Sequence, residues 1–254
     1  MNGSLRIAAA QFPVCGDITR NARYIHAQIK EAAKQRVDVI HFPETALSGY
    51  APQHFPSLTN YPWDVLEAQT LAIYKAARAH NLWIVVGSMR QLDGGLPSNC
   101  LLVISARGKR EGIYVKQRLY AGEKQFYSPG AGPCVVIING FKCGFLICFD
   151  NCYPELYEAY RGLDAGLIFH SFHNAGNERA TSIKDLMLAN LIVRAADNRM
   201  WISASNSSKR YSPLSACIVR PDGSMRRARR HASGLVVDDY PNAKLGWTYD
   251  NSRI

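Results

Sequence analysis

The stretch Phe141-Lys142-Cys143-Gly144-Phe145-Leu146-Ile147-Cys148-Phe149-Asp150-Asn151-Cys152-Tyr153-Pro154-Glu155 decides how the rest of the chain is read. It opens with an apolar run that reads as a buried strand and stops at Cys148. Asp150 and Asn151 make a turn. Pro154 and Glu155 open a helix, because proline suits the first helical turn and an acid complements its positive end. A thiol between strand end and helix N-terminus meets unpaired N–H groups and partial positive charge, which favour thiolate. The bland alternative is a small buried hydrophobe, which a free cysteine often is. The other cysteines, at 15, 100, 134, 143, 152 and 217, do not change this choice. The count is odd, no Cys-x-x-Cys occurs, and Cys143 and Cys148 have opposite parity in one strand, so neither a disulfide framework nor a zinc site is expected.

Outward from this stretch, strands and helices alternate. Upstream, Cys134 to Ile138 pairs with Phe141 to Ile147 through the hairpin turn Asn139-Gly140. Leu5 to Phe12 and Val37 to Phe42 read as strands on either side of a helix from Asp17 or Thr19 to about residue 35. Its apolar stripe is Ile18, Ala22, Ile25, Ile29 and Ala32. A Gly-, Pro- and aromatic-rich loop runs from Thr45 to Pro62, then a helix from Asp64 to Ala79 and a strand from Trp83 to Met89. Asn99 to Ser105 and Glu111 to Val115 form a hairpin, and a second irregular loop covers Gln117 to Pro133. Downstream come a helix from Tyr153 to Leu163, a strand from Ala165 to Phe169 and a helix from Glu178 to Asn198 with Ala180, Ile183, Met187 and Leu191 on one face. Strands at Met200 to Ser205, Leu214 to Val219, Met225 to Arg230 and Leu235 to Val237 close the chain. With no linker or repeat, residues 1–254 read as one α/β domain: two sheets packed face to face with helices outside.

Composition excludes several classes. No apolar run approaches a membrane span, and the N-terminus lacks the apolar core of a signal peptide, so a cytoplasmic protein with no membrane partner is expected. The net charge of +10 raises anionic partners. The basic residues are scattered apart from Arg226-Arg227-Ala228-Arg229-Arg230-His231, which has no aromatic residue to stack on bases. It reads as a solvated edge hairpin, where charge suppresses edge-to-edge pairing, and no nucleic-acid partner is expected.

Glu44, Lys116 and Cys148 each end a strand. Singly, the first two are ordinary loop or strand-end charges. Together they supply what acyl transfer to a thiol needs: a nucleophile, a general base and acid, and a positive group for a developing oxyanion. His26 and His80 fall on helices, and His41 reads as packed in its strand.

In order, Phe42-Pro43-Glu44, Tyr114-Val115-Lys116-Gln117-Arg118-Leu119 and Ile147-Cys148-Phe149-Asp150 with Tyr153-Pro154-Glu155 resemble the nitrilase superfamily of carbon–nitrogen hydrolases. Ala9-Ala10-Gln11-Phe12 and Arg194-Ala195-Ala196-Asp197-Asn198 match further landmarks, with Asp197 where the family usually has Glu. The resemblance runs from about residue 5 to 238. It implies an α-β-β-α four-layer sandwich of the nitrilase type and a Glu–Lys–Cys triad. Cys148 would attack a carbonyl or nitrile carbon to form a thioester, with Glu44 as base and acid. Lys116 and the Phe149 N–H would stabilise the oxyanion, and Glu123, in Gly122-Glu123-Lys124-Gln125-Phe126, would position Lys116 or the substrate. No cofactor or metal is implied. A homodimer through the helices at about 153–163 and 178–198 is, and the chain's end at Ile254 argues for nothing larger. The expected substrate is a small amide or N-carbamoyl compound with water as acceptor, lined by Tyr50, Tyr120, Phe149, Phe172, His173 and Asn174.

A nitrilase or an acyltransferase would use the same triad, and product analysis separates them. A non-catalytic scaffold of the same fold would leave Cys148 no more reactive than the other cysteines. A metal-dependent phosphodiesterase would need clustered ligands, of which His170, His173, Asn174 and Asp150 offer a fragment, and would lose activity to EDTA.

Overall fold

Burial with period two sets the layers. In the first strand Leu5, Ile7 and Ala9 face one apolar cluster, and Ala8, Ala10 and Phe12 face another. A strand buried on both faces belongs inside a sheet covered on both sides. The computed structural model describes residues 3–175 and 184–241. Its strands are β1 (Leu5–Phe12), β2 (Val39–His41), β3 (Trp83–Arg90), β4 (Ser98–Ile104), β5 (Arg110–Val115), β6 (Val135–Ile138), β7 (Phe141–Ile147), β8 (Leu167–Ser171), β9 (Trp201–Ser207), β10 (Cys217–Val219), β11 (Met225–Arg227) and β12 (Gly234–Tyr240). Its helices are α1 (Ile18–Lys34), α2 (Ala51–His54), α3 (Trp63–His80), α4 (Pro154–Gly162) and α5 (Lys184–Asn198).

One sheet runs β5-β4-β3-β2-β1-β12 and the other β6-β7-β8-β9-β10-β11. They are joined where Gln11 and Phe12 pair with Asn206 and Ser207. In each sheet three parallel strands form the centre, β1-β2-β3 and β7-β8-β9, flanked by antiparallel edges. Helices α1 and α3 cover the first sheet and α4 and α5 the second, which gives the expected α-β-β-α sandwich. The α1 stripe is buried as read, and Asp17 caps the helix by accepting from the Arg20 N–H at 2.9 Å. Asn139 and Gly140 both have positive φ, 49° and 94°, as the two-residue hairpin requires. Between the sheets, His41 reaches Ser171 Oγ at 2.7 Å and Ser203 Oγ at 3.2 Å, and burial pushes its pKa down to about 3.

Several boundaries move. The loop from Thr45 to Pro62 contains α2. The strand read as Ala165 to Phe169 is Leu167–Ser171, because the Ala165 N–H still closes α4 on the Tyr160 carbonyl at 3.0 Å. The shift draws His170 and Ser171 into the sheet. Of the helix read as Glu178 to Asn198, Lys184–Asn198 is observed; its start, with Ala180 and Ile183, lies outside the described residues. The last hairpin is shorter than read because Gln11 replaces ladder bonds. Its Oε1 accepts from the Ala216 N–H, and its Nε2 donates to the carbonyls of Arg229 and Ala232. The arginine cluster therefore starts on β11, which among the described residues pairs only with β10 at the sheet edge, and ends in a turn.

Candidate active site

Glu44 lies just past β2, and its position is fixed by backbone. The Phe42 N–H donates to the Val85 carbonyl at 2.8 Å, the Ala46 N–H donates to Pro43 O at 3.2 Å, and Thr45 takes φ 47°. Gly87 of β3 runs directly beneath. A Cβ there would stand 2.1 Å from Pro43 O and 2.5 Å from Thr45 N, so only glycine admits this turn. The Glu44 carboxylate is fully buried. Its Oε1 accepts from Lys116 Nζ at 2.8 Å and Asn99 Nδ2 at 2.7 Å, and its Oε2 from the His173 backbone N–H at 2.8 Å.

Lys116 follows β5. Its N–H donates to Asn99 O at 2.9 Å, and its carbonyl accepts from Gly130 N–H at 2.8 Å. Its ammonium lies between Glu44 and Glu123, whose Oε1 it reaches at 2.7 Å. Glu123 holds that place through a tight turn over Ala121–Glu123, its Oε2 accepting from the Tyr120 N–H at 2.8 Å. Lys116, Glu44 and Glu123 are all essentially unexposed.

Cys148 follows β7 with φ 44°, a left-handed conformation that costs energy for any side chain but glycine. Asp150 holds this elbow. Its Oδ2 accepts from the Ile147 N–H at 2.9 Å and the Tyr114 hydroxyl at 2.7 Å. Its Oδ1 accepts from the Arg118 N–H at 2.9 Å. One carboxylate thus ties the Cys148 turn to the lysine segment.

The charge balance corrects the sequence reading. Cys148 begins a short 3-10 turn ending at Cys152, and α4 starts only at Pro154, so no α-helix N-terminus is directed at the sulfur. Burial pushes the thiol pKa well up, Glu44 and Glu123 push it further, and Lys116 offsets only part of this. The surroundings of the sulfur therefore oppose a resting thiolate. Burial also raises Glu44, with Lys116 pulling it down and Glu123 pushing it up. Burial works against the Lys116 charge, but Glu44, Cys148 and Glu123 overcome it and hold the ammonium well above its ordinary range.

The pocket residues separate. Tyr50, at the start of α2, sets its ring 5.1 Å from that of His173 and lies within electrostatic reach of Glu123, Glu44 and Cys148. Tyr120 is exposed and meets Phe149 edge-on at 6.3 Å. Phe172, read as pocket lining, is a core residue: it is fully buried and stacks on His170 at 4.2 Å. Asn174 is tied to Asn206 Nδ2 at 2.9 Å and Met187 Sδ at 3.3 Å. The metal fragment is dispersed: Asp150 holds the elbow, His170 meets the Tyr157 hydroxyl and His173 meets Gln53. Among the described residues no cluster of three or more His, Cys, Asp or Glu is arranged to hold a metal. Sequence reasoning missed Asn99, Gly87 and the structural role of Asp150. Only Asp150, two residues past the cysteine, gave any signal.

The carbon–nitrogen hydrolase family matches residues 6–240. The chain is 36% identical over 164 residues to a glutamine-dependent NAD(+) synthetase of Xylella fastidiosa, covering 61% of this chain and 29% of that protein. It thus spans under a third of that relative's length. It is 32% identical over 144 residues to a nitrilase of Pyrococcus abyssi, covering 56% of this chain and 54% of that one. Among solved structures, an amidase from Nesterenkonia sp. AN1, carrying the acetamide moiety of fluoroacetamide on its active-site cysteine, superposes with TM-score 0.83 at 23% identity, over 95% of this chain and 92% of the other.

Proposed function

The chain belongs to the carbon–nitrogen hydrolase family, and from that premise we propose that it hydrolyses the C–N bond of a small amide or N-carbamoyl compound through a thioester on Cys148. The observation that carries the proposal is the fully buried Lys116 ammonium held between Glu44 at 2.8 Å and Glu123 at 2.7 Å, with Cys148 raised on a strained elbow beside them. As the sulfur attacks the carbonyl carbon, its proton passes to Glu44, and the C=O pair becomes an oxyanion facing Lys116 and the Phe149 N–H. Glu44 gives that proton to the leaving nitrogen as the C–N bond breaks, releasing ammonia or amine. Water then attacks the thioester, again losing a proton to Glu44, and collapse expels the sulfur, which takes the proton back as the acid leaves. Glu123 and Asn99 position the pair. Tyr50, Tyr120, Phe149 and the His173 and Asn174 segment border the substrate.

The nitrilase likeness keeps a nitrile within reach of the same triad. The glutamine-dependent relative makes a side-chain amide such as glutamine's the second reading. In this proposal the chain works as one catalytic domain with no cofactor or metal, as a cytoplasmic homodimer with neither nucleic acid nor membrane as partner. Two observations support the last points: among the described residues no helix is long and apolar enough to cross a membrane, and α5 leaves Leu186 and Val193 exposed. A screen of aliphatic amides, glutamine, N-carbamoyl compounds and nitriles, read by ammonia and free acid, tests the proposal. Wild type should release both from at least one amide and Cys148→Ala from none; no acid with any amide refutes hydrolysis.

A further inference from the structure

Beside His54, and within electrostatic reach of His173, stands a lysine that the proposed reaction does not use. Lys209 lies just past β9, and its backbone is fixed: the carbonyl accepts from the Ser212 N–H at 3.1 Å and meets His231 Nδ1 at 3.1 Å. Its Nζ stands 3.5 Å from His54 Nε2. The pair is not a satisfactory hydrogen bond. The Tyr50 N–H donates to His54 Nδ1 at 2.9 Å, so Nδ1 is the acceptor and the neutral ring carries its proton on Nε2. Burial and the Lys209 charge push the His54 pKa down to about 4, which keeps the ring neutral. Two donors, the ammonium and the Nε2–H, therefore face each other. Among the described residues no carboxylate forms an ion pair with Lys209.

This corner adjoins the reacting centre. The His54 ring is 5.4 Å from that of His173, whose backbone N–H holds Glu44 and whose ring is 5.1 Å from Tyr50. The Lys209 charge reaches His173, helping burial to push its pKa well down. His173 Nε2 meets Gln53 Oε1 at 2.7 Å, while its buried Nδ1 has no hydrogen-bond partner among the described residues. The acceptor that would satisfy both Lys209 and His54 is one bearing two oxygens and a negative charge.

We propose that Lys209 Nζ and His54 Nε2 form the subsite for a carboxylate on the far end of the substrate, so that this chain prefers amides that carry a carboxylate. The inference rests on the amide-hydrolase reading above and gives its site a substrate class. Lys209 binds and orients; it takes no part in bond making.

The test compares kcat/KM for succinamate and for the neutral butyramide in wild type, Lys209→Met, Lys209→Arg and Lys209→Glu, with each variant's Tm measured. Wild type should prefer succinamate. Losing one charge-assisted contact should lower the succinamate-to-butyramide ratio of Lys209→Met by about tenfold to a hundredfold, chiefly through KM. Lys209→Arg should recover much of the ratio, and Lys209→Glu should turn the preference toward 4-aminobutyramide. A ratio that Lys209→Met and Lys209→Glu leave unmoved overturns the subsite while the hydrolase reading stands. Butyramide turnover that responds to added acetate, with no preference for succinamate, means that the corner takes a free anion and also overturns it. Failure of wild type on every amide withdraws both readings.

Discussion

Replacing Gly87 by alanine adds one methyl group to β3 directly under the turn that carries Glu44. Built on the observed backbone, that methyl carbon would lie 2.1 Å from Pro43 O, 2.5 Å from Thr45 N and 2.9 Å from the Glu44 carbonyl carbon. All three are main-chain atoms, so no side chain can swing aside. Relief requires the turn to lift by about an ångström to regain ordinary van der Waals separation. Glu44 would then lose some of its contacts with Lys116 at 2.8 Å, Asn99 at 2.7 Å and the His173 N–H at 2.8 Å. A misplacement of that size costs about a hundredfold in rate, and overpacking a filled core costs about 1–3 kcal/mol. Ammonia release gives kcat/KM and calorimetry gives Tm. Gly132→Ala is the control, since a Cβ there meets nothing within 4 Å. A Gly87→Ala enzyme within about threefold of wild type would refute the reasoning, because Glu44 would then act without its observed geometry.

Four further outcomes follow from the same site and core. Because the Cys148 pKa is raised, iodoacetamide labelling of Cys148 should still be climbing above about pH 8, and a plateau below that would mean a thiolate at rest. Because Glu44 is raised and in the proposed reaction acts as a base when ionised, kcat/KM should fall as pH drops through a value above the ordinary carboxylate range; an acid limb at about pH 4 or below contradicts this. Lys116→Met leaves two buried carboxylates sharing no cation and should cost about 3–5 kcal/mol in urea unfolding as well as activity, whereas an unchanged midpoint would deny the ion pairs any weight. His41 is held neutral down to about pH 3 while the unfolded chain protonates it below its ordinary 6.5. The unfolded state therefore binds more protons in that window, and stability falls with falling pH by up to about 1.4 kcal/mol per unit; His41→Gln should flatten that slope.

What the sequence made legible were features written in consecutive residues. The apolar runs gave β1 without error, the 3.6-residue stripe gave α1, and Asn139-Gly140 gave its hairpin, because each is decided by local periodicity or by φ. Glu44, Lys116 and Cys148 stood out because each ended a strand and matched a landmark. The supports of the site were not legible. Gly87 matters through what its missing Cβ avoids, His173 through its backbone N–H, and Asn99 through a side chain facing Glu44 across strands. The Lys209 corner needs more still, since only the Tyr50 N–H bond to His54 reveals which ring nitrogen carries the proton.

The thiolate reading failed for a reason that bears on mechanism. Sequence displays a nearby helix start and a lysine, both favouring an anionic sulfur, but not the depth of the site or its charge count. One ammonium there faces two carboxylates in direct contact. A standing thiolate would place a third negative charge beside them in a buried space, which burial and the carboxylates both oppose. In the proposed reaction, moving the thiol proton to Glu44 during attack keeps the count constant: one anion disappears as another forms. The negative charge would then pass to the substrate oxygen, where Lys116, still cationic, would face it. A raised Glu44 and a raised Cys148 are thus one arrangement. Glu44→Gln removes the acceptor and should silence turnover, although it also removes a charge that pushes the thiol pKa up. A Glu44→Gln enzyme that hydrolyses amides at the wild-type rate would show that the thiol loses its proton by another route.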